Sequence, residues 1–152
     1  MKALKNIIIL AALIALPLTV MTAEPEKQPG GKIHKVVFEV AIDGAEKWLG
    51  ALRNVENVQK ALGVKTTKIE VVAHGKGIGM LLAKTADANP EMKATLEKLH
   101  ATGVVFAVCE NTMNKMQITK DQLVPLATTV DSGVSEVIRK QEAGYAYIKS
   151  GG

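Results

Sequence analysis

Hydrophobic and polar positions along the chain switch between the periods of strands and helices. From Ile33 to Ile42 (IHKVVFEVAI) β-branched and apolar residues dominate until the turn pair Asp43-Gly44, which predicts a strand. From Ala45 to Leu62 the apolar residues Trp48, Leu49, Leu52, Val55 and Leu62 recur at helical spacing and Gly63 offers a C-terminal stop, so an amphipathic helix follows. Thr67 to Ala73 (TKIEVVA) reads as a second strand ending at His74-Gly75, with a short apolar helix expected at about Ile78 to Ala83. Asn89-Pro90-Glu91 supplies a cap, a first-turn proline and a first-turn acid ahead of Met92, Leu96 and Leu99 on one face. Gly103 to Val108 is the next strand, Thr119 with Gln122 forms a capping box before Leu123 and Val124, and Ala127 to Val130 is a fourth strand. Asp131 or Ser132 then caps a helix carrying Val134, Val137, Ile138 and Gln141; Gly144 ends it, and Tyr145 to Ile148 suits an edge strand.

Strands that alternate with helices, each strand a near-continuous apolar run, imply a parallel sheet covered on both faces. The expected fold class is therefore α/β, a three-layer α/β/α sandwich around a mainly parallel sheet of about five strands. In such a sheet, ligands gather beyond the carboxyl ends of the strands. That rule selects Asp43 after the first strand, His74 after the second, Cys109 with Glu110 and Asn111 after the third, and Asp131 with Ser132 after the fourth. These residues are expected to share one rim.

The N-terminus changes the context. Residues 1–23 carry Lys2 and Lys5, then an uncharged apolar run from Ile7 to Met21 broken by Pro17, then the small residues Thr22 and Ala23. This is the pattern of an export signal, and the run is short of the ~20 residues a spanning helix needs. Cleavage is expected after Ala23, with residues 24–32 as a flexible linker and one domain at 33–150; bulky Met21 near the cut leaves an uncleaved anchor as the alternative. The mature protein is expected in the periplasm or another exported compartment, with no membrane association once the signal is gone. Charge adds little: 19 basic against 15 acidic residues give +4, and loss of Lys2 and Lys5 reduces this to +2. With aromatic residues at only 3%, neither a basic footprint nor a stacking platform for nucleic acid is present.

The stretch VVFAVCENTM, Val104 to Met113, holds the only cysteine. In an exported chain one cysteine forms no disulfide within its own chain, so Cys109 is a buried inert thiol, an intermolecular bridge or a reactive group. At a strand end followed by a helix start, unpaired backbone N–H groups stabilise a thiolate, whereas the neighbouring Glu110 opposes it unless its carboxylate turns away. His74 is a cationic partner or proton relay for the sulfur if the two are close, and otherwise a structural residue. The turn HGKGIG has glycines at 75, 77 and 79, but the spacing is neither a dinucleotide fingerprint nor a P-loop. His74 and Cys109 lack further obvious metal ligands, no serine sits in a nucleophile elbow, and no cofactor or metal is expected.

Nearly the whole mature chain, about Ile33 to Ser150, resembles the DsrE/DsrF-like family, in particular its small exported single-domain members. The resemblance is carried by IEVVAHGKGI (Ile69 to Ile78), by GVVFAVCENTM (Gly103 to Met113) and by RKQEAGYAYIKSG (Arg139 to Gly151). It implies a flavodoxin-like sheet, assembly into homotrimers or hexamers, and a cysteine that carries a persulfide between a sulfur donor and an acceptor protein. Cys109 falls on the family's cysteine position and His74 on its His-Gly turn. The site expected from the residues and the resemblance together has Cys109 and His74 as catalytic groups of a sulfurtransferase-like carrier, with Asn111, Thr112, Gly75 and Asp43 around the substrate. The alternative is a non-catalytic oligomeric protein that binds a small anion or a partner and whose cysteine only lines the pocket. Trp48, Tyr145 and Tyr147 could then serve at a subunit interface, while Trp48 also suits the helix core.

Overall fold

The computed structural model describes residues 31–150; the export signal and most of the linker expected at 24–32 lie outside the described residues. In chain order the elements are β1 (His34–Val40), α1 (Ala45–Leu62), β2 (Thr67–Ala73), α2 (Ala83–Ala88), α3 (Pro90–Ala101), β3 (Val105–Cys109), α4 (Glu110–Met116), β4 (Ala127–Val130), α5 (Gly133–Glu142) and β5 (Ala146–Ser150). The strands form one sheet in the order β4-β3-β2-β1-β5. Every neighbouring pair is parallel, so all five carboxyl ends lie along one edge as the alternating pattern predicts.

The two faces of the sheet are covered unequally. On one, Val36, Phe38, Val40, Val71, Phe106 and Val108 pack against Trp48, Leu52 and Val55 of α1, Met92, Leu96 and Leu99 of α3, and Met113 of α4. Phe38 and Phe106 are fully buried there, each worth roughly 1.5–3 kcal/mol of apolar transfer. On the other face Val37, Val72 and Ala107 meet Val137 of α5, with the partly buried Val130 and Tyr145 beside them. Of the apolar residues expected along α5, Val134 and Ile138 are 57% and 50% exposed. The helix is held instead by charge: the Lys140 ammonium reaches the buried Glu70 carboxylate and lies 3.5 Å from Glu136. It also sits 5.2 Å from the centre of the Tyr145 ring. Burial pushes the Glu70 carboxyl up against the pull of Lys140, while on Lys140 the attraction of Glu70 outweighs burial and raises the ammonium. Removing either partner would strand the other's charge beneath the helix.

Two expectations are corrected. The helix expected at about Ile78 to Ala83 is a 3₁₀ segment from Gly75 to Leu81, and α2 starts only at Ala83. Close packing dictates this: a Cβ on Gly77 would lie 2.0 Å from the carbonyl oxygen of Val40, and one on Gly79 would lie 2.5 Å from the Trp48 ring. The glycine-rich turn thus beds the chain onto the end of β1 and onto Trp48, which is 6% exposed and donates its indole N–H to Ile42 O at 2.7 Å. Trp48 is core. Asn89 makes no side-chain cap on α3; its amide donates backwards to Thr85 O at 2.7 Å and ties off α2. The Thr119–Gln122 capping box forms, on a single 3₁₀ turn, and Ser132 caps α5 by accepting from Ser135 N at 3.3 Å. Among the described residues no helix is long and apolar enough to cross a membrane.

The glycines give a paired prediction. Gly77→Ala forces backbone against backbone and is expected to destabilise the fold by about 2 kcal/mol or more. Gly50→Ala, in α1 with nothing within 4 Å of the added carbon, is expected to stabilise it by roughly 0.5–1 kcal/mol. Urea unfolding of both variants checks the opposite signs.

Candidate functional site

Cys109 is the last residue of β3 and the residue before α4. Strand alternation puts its side chain on the same face as Ala107, under α5. It is 5% exposed, deeper than a bare rim position suggests. Such burial pushes a thiol up, but the Thr112 hydroxyl and the main-chain N–H groups of Gly133, Thr112 and Asn111 all donate to the sulfur and together hold its pKa below the ordinary thiol value. The donors come from two places, the first turn of α4 and the start of α5.

Each donor is itself fixed. Thr112 Oγ1 accepts the N–H of Gly75 at 3.1 Å, which leaves its own proton for the sulfur and polarises it. Gly75 sits at φ +50°, in the left-handed region. The Asn111 N–H also reaches Asp131 O at 3.2 Å, tying α4 to the loop that leads into α5. Gly133 brings α5 close: a Cβ there would lie 3.2 Å from Cys109 Cβ and 2.9 Å from His74 Cβ. The same point touches both side chains, so His74 and Cys109 flank Gly133. This agrees with the register that pairs Ala73 with Val108, one step before both residues.

Glu110 does not oppose the thiolate. Its carboxylate accepts from Thr129 Oγ1 at 2.6 Å and lies 3.1 Å from Lys120 Nζ; these partners draw it away and hold it below the usual carboxylate range. Asp131 likewise turns outward, with its carboxylate 2.6 Å from Arg139 and held low by that hydrogen bond. His74 places Nε2 2.7 Å from Glu39 Oε1. Asp43 is exposed at the turn into α1 and shares no hydrogen bond with this cluster among those described. Two grooves lie elsewhere, about 340 Å³ between α2, α3 and the Leu123–Leu126 segment and about 430 Å³ beside Met116 and Ile118; Cys109 lines neither. Among the described residues no group of three His, Cys, Asp or Glu side chains is arranged to hold a metal.

A strand-end cysteine ringed by main-chain donors, on a five-stranded parallel sheet, can be compared with known proteins. The model of the DsrE/DsrF-like family matches residues 26–150. The chain belongs to the DsrE/DsrF-like family. Among solved structures it is similar to the protein of unknown function MTH1491 from Methanobacterium thermoautotrophicum, at 31% identity and a TM-score of 0.68, over 76% of this chain and 98% of that one. The ychN protein from E. coli shares the fold, with a TM-score of 0.57 at 13% identity over 78% of this chain and 98% of that one. No curated protein matches.

In this DsrE-like chain the structure brings together Cys109, His74, Thr112, Gly75 and the main chain of Asn111, and leaves Asp43 apart. The Asn111 side chain is exposed. Sequence reasoning missed Gly133, Glu39 and Tyr147. Glu39 left a signal, an acid inside the apolar run of β1; Gly133 left none, since its role is defined by α5 crossing β3.

Gly133→Ala is expected to push α5 off the sulfur and raise the Cys109 pKa, slowing alkylation by iodoacetamide at neutral pH. Thr112→Val is expected to act in the same direction. At a pH above all these pKa values the rates should converge with the parent. The depressed pKa also carries a stability sign: ionised Cys109 stabilises the fold above the ordinary thiol pKa, and that contribution fades as pH falls through its own lower value.

Proposed function

We propose that this protein carries sulfane sulfur as a persulfide on Cys109. The observation that supports it is the set of donors on the sulfur, because the same donors serve both halves of a transfer. In loading, the Cys109 thiolate attacks the outer sulfur of a persulfide R–S–SH; a new S–S bond forms, the old one breaks, and R–S⁻ leaves with the electron pair and takes up the proton that Cys109 gave away. Thiol plus persulfide becomes persulfide plus thiol, with no outside oxidant. In unloading, an acceptor thiolate attacks the outer sulfur and Cys109 is the leaving group. A leaving thiolate of lowered pKa departs faster. His74, beside the cysteine, holds the proton between the two steps. At 5% exposure the sulfur favours a slender donor, such as inorganic polysulfide or a small alkyl persulfide, or a partner's extended cysteine-bearing tail.

The reading includes export to the periplasm or an equivalent compartment, and assembly into a homotrimer or hexamer. Val134 and Ile138, one helical turn apart on α5, with Tyr147 at 40% exposure on β5, offer an apolar surface for a second copy. The double variant Val134→Glu with Ile138→Glu is then expected to be monomeric by light scattering while keeping the parent's secondary structure; an unchanged mass would remove α5 from the interface.

Incubation of the reduced protein with polysulfide, followed by intact-mass spectrometry, is expected to show one added sulfur atom on the parent and none on Cys109→Ser. The adduct should disappear on addition of a small thiol. A parent protein that takes up no sulfur from polysulfide, thiosulfate or an alkyl persulfide sinks the carrier reading and leaves a pocket-lining cysteine in a binding protein.

A further inference from the structure

Beneath α5, side chains from four adjacent strands run in a line toward the carboxyl rim. Tyr147 on β5, Glu39 on β1, His74 at the end of β2 and Cys109 at the end of β3 all lie on this face. Parallel register explains the line: Val37 pairs with Tyr147, Glu39 pairs with Val72, and Ala73 pairs with Val108, so Glu39 lies nearer the rim than Tyr147, His74 nearer than Glu39, and Cys109 level with His74. The first two links are hydrogen bonds, and the last is the packing of His74 and Cys109 on either side of Gly133. Tyr147 donates its phenol to Glu39 Oε2, and His74 Nε2 lies 2.7 Å from Glu39 Oε1. The Glu39 side chain is 17% exposed and that of His74 20%, so water competes only weakly for the contact between them.

We infer that Glu39, braced by Tyr147, is the positioning residue that sets the tautomer of His74 and commits its Nδ1 to proton transfer at Cys109. This rests on the carrier reading and specifies how the proton moves in it. An ionised carboxylate only accepts hydrogen bonds, so the ring nitrogen facing it must carry a proton. In the neutral ring, Nδ1 is then the unprotonated nitrogen, and it is the one left for the sulfur chemistry. Burial alone would raise the Glu39 carboxyl, but the Tyr147 phenol, then His74, and more weakly Lys149 outweigh it and keep it ionised, while Tyr147 is pushed up to about 12 and stays a donor. His74, Tyr147 and Lys149 are thus the titratable groups that act on Glu39.

In the transfer, neutral His74 takes the Cys109 proton at Nδ1, the thiolate attacks R–S–SH, and the leaving R–S⁻ recovers that proton from Nδ1. The Nε2 proton stays on the ring throughout, hydrogen-bonded to the Glu39 carboxylate. Without the carboxylate, the ring has no fixed tautomer and no counter-charge while it holds two protons.

The test compares the parent with Glu39→Gln and Tyr147→Phe in the full chain. ¹⁵N NMR of the imidazole should show the Nε2-protonated neutral form in the parent and a mixture of tautomers in Glu39→Gln, since a carboxamide can donate as well as accept. Loading from an alkyl persulfide, whose leaving thiolate needs a proton, is expected to slow about tenfold or more. Alkylation by iodoacetamide at a pH where Cys109 is fully ionised, which expels iodide and needs no proton, is expected to stay at the parent rate. Tyr147→Phe, which removes only a hydroxyl, should shift loading in the same direction by a smaller factor. An unchanged tautomer in Glu39→Gln, unchanged loading, or equal losses in loading and alkylation would each overturn the inference. If the parent itself loads no sulfur, the carrier reading falls, and the tautomer result alone decides whether Glu39 sets the ring.

Discussion

A sulfur atom that is 5% exposed would ordinarily be a neutral, inert thiol, because a charge so placed loses its water. Here the water is replaced by the hydroxyl of Thr112 and the N–H groups of Asn111, Thr112 and Gly133. None of these donors belongs to the strand that carries the cysteine. Three come from the turn that opens α4 and one from the start of α5, so the set is complete only while α5 stays seated on the sheet. That seating requires a glycine at 133, where any side chain would meet both Cys109 and His74.

The unequal packing of the two faces follows from the same constraint. The face under α1 and α3 holds the large apolar core, and stability resides there. The face under α5 has few apolar contacts and one ion pair that joins helix to sheet, Lys140 with Glu70; the pairs of Lys140 with Glu136 and of Arg139 with Asp131 and Glu136 stay within the α5 segment. Partly buried ion pairs add little net stability compared with apolar packing, but they resist displacement, since moving one partner exposes the other's unmet charge. The Lys140–Glu70 pair ties the later part of α5 to β2. The polar chain from Tyr147 through Glu39 to His74 occupies the rest of this face, where an apolar filling would have left no path for a proton.

The architecture was legible in the sequence because each strand is an apolar run bounded by turn residues, and each long helix shows its own period. The rim rule then gathered His74 and Cys109 correctly from topology alone. What the sequence concealed depends on contacts between distant segments. The glycines at 77 and 79, whose spacing fits no nucleotide-binding motif, make room for Val40 and Trp48. The α5 period suggested a buried stripe of Val134, Val137 and Ile138, of which only Val137 is buried. Glu110, next to the thiol in sequence, pointed to repulsion, but Thr129 and Lys120 take its carboxylate elsewhere. Neighbours along the chain do not reveal which side of the backbone a charge will choose.

The central claim is that the Thr112 hydroxyl and the main-chain donors overcome burial and hold the Cys109 pKa below that of an ordinary thiol. Following the ultraviolet absorbance of the thiolate during a pH titration, with Cys109→Ser as the blank, measures this directly. The account predicts a single ionisation with its midpoint below that of a free cysteine. A midpoint at or above the free value, with the fold intact, would contradict it, because burial would then have prevailed over the donors.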